Sequence, residues 1–61
     1  MIEDLRRAFT LGDRIKVYAG DTQIDGTGSF IAFQDRFLIW ADSTGLINFT
    51  HLGDAITIQK V

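Results

Sequence analysis

The tightest constraint on this chain is what it lacks. Its 61 residues include no cysteine, no proline and a single histidine, His51. A domain of that length buries only about 60% of the surface its unfolded form exposes. Small domains make up the deficit with disulfides, a structural metal or assembly. Here the first route is closed and the second nearly so, which leaves assembly with further copies. The 46% hydrophobic content and formal charge of −2 predict a folded chain rather than a disordered one. No apolar run reaches the roughly 18 residues of a membrane-spanning helix, and the N-terminus lacks a signal-peptide pattern. The expected location is therefore cytoplasmic, with no membrane partner.

Hydrophobic periodicity divides the chain into one helix and five strands within a single domain, residues 1–61. Ile2, Leu5 and Phe9 recur at helical spacing. Glu3 and Asp4 fall in the first turn and Arg6 and Arg7 in the last, where their charges suit the helix dipole. From Arg14 to Ala19 the pattern alternates, with Ile15, Val17 and Ala19 against Arg14, Lys16 and Tyr18, as in a half-buried strand. The stretch from Thr22 to Phe33 is long for a straight strand and carries Gly26 and Gly28, which predicts a bulge or bend. A turn around Gln34-Asp35-Arg36 precedes the apolar run Phe37–Ala41, expected to be covered on both faces. Asp42-Ser43-Thr44-Gly45 is a hairpin turn by composition. Leu46 to Thr50 and Ala55 to Val61 complete the strands. The fold class is mostly β: a short N-terminal α-helix and a five-stranded, strongly bent antiparallel small barrel of the SH3 or Sm type. Without proline the strand edges lack one common guard against pairing.

Catalysis is not expected. Nucleophilic chemistry needs a nucleophile, a base and an orienting group, and His51 has no cysteine to act with, while Ser29 and Ser43 have no recognisable context. No cofactor and no metal site is expected. Asp13, Asp21, Asp25, Asp35, Asp42 and Asp54 recur at turns, where aspartate commonly bonds to nearby backbone. Gly26-Thr27-Gly28 lacks the lysine and the strand–loop–helix setting of a phosphate loop.

The order of a helix ending in Arg6-Arg7, a strand, a glycine-bent strand, Phe33-Gln34-Asp35-Arg36-Phe37-Leu38-Ile39, a hairpin, and Phe49-Thr50-His51 before an Ile-rich strand resembles the Sm-like family. The likeness is strongest to the bacterial host-factor RNA chaperones and covers nearly the whole chain. It implies a homo-oligomeric ring of about five to seven copies, closed by pairing the fourth strand of one subunit with the fifth of the next. It also implies single-stranded, uridine-rich RNA at the pore, bound near Phe33, Gln34 and His51, with Arg6 and Arg7 on a basic rim. An aromatic ring can stack a base, an amide or imidazole can bond to its edge, and arginine can neutralise phosphate. Two departures stand against this pattern: Thr50 occupies the position of the family's pore lysine, and Leu52 and Gly53 are extra residues before the final strand.

A sequence pI near 4.9 also runs against nucleic-acid binding, which depends on clustered Lys and Arg. A ring answers this by multiplying Arg6, Arg7, Arg14, Lys16 or Arg36 on one face. The competing reading is a structural or protein-interaction barrel that assembles but holds a protein partner instead of RNA. For individual residues the plainer roles are a turn cap for His51, core for Phe33, and a solvated helix end for Arg6 and Arg7.

Overall fold

The computed structural model describes residues 6–61. Ile2, Glu3, Asp4 and Leu5, expected in the helix, lie outside the described residues, and 6–8 are helical. The rest is five antiparallel strands in one sheet: β1 (Arg14–Ala19), β2 (Thr22–Gln34), β3 (Phe37–Ala41), β4 (Ile47–His51) and β5 (Ile56–Lys60). Their order across the sheet is β4-β3-β2-β1-β5, so β4 and β5 form its two edges.

β2 makes a small barrel possible because it serves both halves of the sheet. Thr22 to Ser29 pair with β1, and Ser29 to Gln34 pair with β3. Register irregularities flank the changeover, between Ile15 and Val17 on β1 and between Phe30 and Ala32 on β2. Such bulges raise local twist and bend the strand, as the two glycines predict. Gly28 has a further reason to lack a side chain: a Cβ there would collide with the Trp40 ring and the Ala41 carbonyl.

The bend wraps the sheet around a core of Ile15, Val17, Phe30, Phe33, Leu38 and Trp40, with Phe9, Ile24, Leu52, Ile56 and Ile58 packed against it. Phe9 packs against Phe30 with tilted rings and edge-on against Phe33, with ring centroids 5.4 and 5.8 Å apart. This contact holds the N-terminal segment on the sheet, since so short a helical stretch has no stability of its own. Polar contacts add to it: Arg6 Nη2 donates to the Phe33 carbonyl at 3.3 Å, and Lys60 Nζ donates to the Ala8 carbonyl at 3.2 Å while pairing with Asp13 at 3.0 Å.

The expectation that Phe37–Ala41 is covered on both faces is not met within one chain. Leu38 and Trp40 are fully buried, but Phe37 is 38% exposed and Ile39 and Ala41 are only half-buried. One bent sheet has one inner face, and β3's neighbours β2 and β4 lie beside it, not over it. Strand ends differ slightly too. Leu46 belongs to the β3–β4 turn, where its N–H donates to Asp42 and its carbonyl accepts from the Asp42 N–H. Ala55 and Val61 flank β5 but still bond to Gly20 and Arg14.

That turn is organised by carboxylates. Asp42 accepts from the Thr44 N–H (2.9 Å), the Thr44 hydroxyl (2.6 Å), the Leu46 N–H (3.0 Å) and the Asn48 amide (2.8 Å). Asp25 accepts from the N–H (2.8 Å) and hydroxyl (2.7 Å) of Ser43, tying the bend of β2 to the same turn. The Thr44 and Asn48 side-chain donors lead in lowering Asp42 from an ordinary 3.8 to about 2. Because the folded value lies below the unfolded one, this stabilisation is complete above the ordinary value and disappears as pH falls through the folded one. The urea midpoint should drop between pH 3.8 and about 2. Asp42→Asn should have a lower midpoint near neutrality and a shallower acid drop, with Asp13 and Asp25, also lowered, supplying the remainder. Parallel acid limbs for the two proteins would refute the assignment.

Candidate functional site

The β2–β3 connection is a two-residue turn, Asp35-Arg36, with φ of 50° and 66°. Two positive values suit the type I′ hairpin, whose twist matches that of the flanking strands. Neither residue is glycine. Aspartate tolerates the left-handed region, but for an ordinary side chain such as Arg36 it costs about 1–2 kcal/mol. Backbone strain of this kind collects at functional sites. The Arg36 carbonyl also accepts from the Leu52 N–H at 2.8 Å, anchoring the chain as it leaves β4.

Register then brings distant residues into rows across the outer face of the sheet. Gln34 pairs with Phe37, which pairs with His51; the next row is Ala32, Ile39 and Phe49; Ala41 pairs with Ile47 beyond it. The Phe37 and His51 rings meet edge-on with centroids 5.2 Å apart. Phe49 and Ile47 are 67% and 55% exposed. A shallow open groove of about 290 Å³ is lined by Gln34, Asp35, Phe37, Ile39 and Phe49. The outward row of β1, Arg14, Lys16 and Tyr18, lies beside Gln59 and Thr57 of β5 and is polar by comparison.

Of the residues singled out in the sequence, Gln34 and His51 come together, joined through Phe37. Phe33 does not join them. It is 5% exposed and packed against Phe9 and Phe30, so its ring has no face free for a base. Strand parity is the reason: Phe33 pairs with inward-facing Leu38, one residue out of step with Gln34. The aromatics on the outer face here are Phe37 and Phe49, and Phe37 lies in the run expected to be covered on both faces. Its signal was the parity of Phe37, Ile39 and Ala41 against Leu38 and Trp40, hidden because all five are apolar. Arg6 sits at the Phe33 carbonyl, one residue before Gln34, while Arg7 is exposed and makes no polar contact with a described residue.

Thr50 has turned to the core side. Its hydroxyl accepts from the Trp40 indole N–H at 3.0 Å. A lysine there would leave that buried donor without its partner. Among the described residues, no group of three or more His, Cys, Asp and Glu is placed to hold a metal, and no helix is long and apolar enough to cross a membrane. His51 makes no hydrogen bond with a hydroxyl or carboxylate of a described residue. The row is thus equipped to stack and to hydrogen-bond a planar ligand.

The two edges are open in different ways. β4 carries no charged residue, and β5 carries only Lys60, which is engaged with Asp13. Neither contains proline, and β4 also lacks the charge that ordinarily discourages strand addition. Comparisons with protein-family models, curated proteins and solved structures returned no match.

Proposed function

We propose that this chain is an RNA-binding small barrel that assembles into a ring of its own copies and holds single-stranded RNA on the Gln34–Phe37–His51 row. The observation that carries the reading is that this exposed amide–aromatic–imidazole row ends on β4, an unguarded sheet edge. Pairing β4 of one copy with β5 of the next supplies the assembly that so small a core needs, and repeats the row around an axis. Repetition also offsets the low cation count, since each copy adds Arg36 at the turn and Arg6 beside the end of β2. The resemblance to Sm-like proteins agrees with both parts.

The second reading, a protein-interaction barrel, has its own observation. The groove walls are Phe37, Ile39 and Phe49, and its charged lining residue is Asp35. An apolar surface without lysine or arginine suits a protein side chain as well as a base.

Light scattering should give a mass several times that of the monomer, and fluorescence anisotropy should show single-stranded RNA binding that weakens with added salt. Arg36→Gly separates function from folding. It removes one cation per copy and relieves the positive φ, so RNA binding should weaken several-fold while the urea midpoint holds or rises. A monodisperse monomer would remove the ring, and absence of binding at low salt would remove RNA and leave the protein-interaction reading.

A further inference from the structure

We propose that the groove beside the β2–β3 turn selects guanine, with Asp35 as the residue that reads the base. The inference rests on the RNA-binding reading and changes the uridine preference that the family resemblance implies.

Asp35 differs from the aspartates that hold this fold together. Asp13, Asp25 and Asp42 each accept backbone or side-chain hydrogen bonds that fix a turn. The Asp35 carboxylate has no hydrogen bond or ion pair with any described residue, and it lines the groove together with Gln34. Register places the two at the turn end of the groove, with Phe37 in the Gln34 row and Ile39 and Phe49 one row further along the sheet. A planar ligand lying against Phe37 and Phe49 therefore presents an edge to a carboxylate and an amide.

A carboxylate only accepts hydrogen bonds, so it discriminates by the donors it meets. Guanine alone offers two adjacent N–H donors on one edge, N1–H and the N2 amino group, which match the two carboxylate oxygens. Its O6, next in line, can accept from the Gln34 amide. Uracil offers a single N3–H flanked by two carbonyl oxygens that repel the carboxylate. Adenine and cytosine each set one amino group beside a bare ring nitrogen. A site built to hydrogen-bond a group rejects an analogue lacking it, because its own polar atoms are then left unpaired.

Asp35→Asn tests this with the turn intact, because asparagine adopts the left-handed conformation as readily as aspartate. Anisotropy would be measured with short single-stranded RNAs that differ at one site, carrying guanosine, inosine, adenosine, cytidine or uridine. Wild type should prefer guanosine over uridine roughly tenfold, within the range of a bidentate side-chain–base pair. Inosine, lacking the N2 amino group, should lose most of that advantage. In Asp35→Asn the preference should collapse, with uridine binding stronger because the repelling carboxylate is gone, and the urea midpoint unchanged. Equal binding of all five RNAs, or a guanosine-to-uridine ratio that survives in Asp35→Asn, overturns the role of Asp35 and leaves RNA binding standing. No binding of any of them overturns both.

Discussion

Gly28→Ala should cost about 1–3 kcal/mol or more, the penalty of forcing volume into a packed core. A Cβ at this position meets the Trp40 ring on one side and the Ala41 carbonyl on the other. The ring belongs to the largest fully buried side chain of the core, and the carbonyl belongs to β3 where it pairs with β2. Neither can retreat without opening the changeover at which β2 passes from β1 to β3. Trp40 is the only tryptophan, so its fluorescence during urea unfolding reports on this contact, with circular dichroism as a second probe. Combining Gly28→Ala with Trp40→Leu should cost less than the two changes added, because removing the ring relieves one clash and the Ala41 carbonyl preserves the other. A single variant that unfolds at the wild-type midpoint would mean that the sheet is not drawn this tightly.

Trp40→Ala should cost about 3–5 kcal/mol, the usual range for deleting a buried tryptophan. Trp40 is fully buried, and its indole N–H is bonded to Thr50. The change removes apolar burial, opens a cavity and breaks a β3–β4 bond together. Folded proteins are stable by only about 5–15 kcal/mol, and a chain this short sits toward the low end. The variant should therefore be largely unfolded at concentrations where the wild type is folded, with loss of the strand signal in circular dichroism. Trp40→Phe keeps most of the volume and should fall between the two. If assembly contributes to stability, raising the protein concentration should partly restore each variant. A small, concentration-independent loss for Trp40→Ala would contradict the packing described here.

Much of the fold is legible along the chain because strand signals are local. The alternation of β1 is read directly from Arg14 to Ala19, and the hairpin turn from Asp42-Ser43-Thr44-Gly45. Gly26 and Gly28 mark where β2 bends, although not that Trp40 is what Gly28 must avoid. The candidate site was legible only in part. Gln34 and His51 stood out by residue type, but Phe33 and Phe37 are the same residue four positions apart. Composition cannot tell which of them faces the core.

The sequence by itself determined the class of fold, since short alternating apolar runs bounded by turn residues make strands wherever they occur. Tertiary structure alone decided which aromatic reaches the surface, that Thr50 serves Trp40, that Asp35 stands apart from the turn-fixing aspartates, and that β4 and β5 are the open edges. These depend on strand register, and a shift of one residue exchanges every inward side chain for an outward one. Register is set here by the length of the Asp35-Arg36 turn and by the irregularities between β1, β2 and β3. The sequence marks that a turn and a bend occur there, but not how many residues each takes up, and that number fixes which side chains face inward.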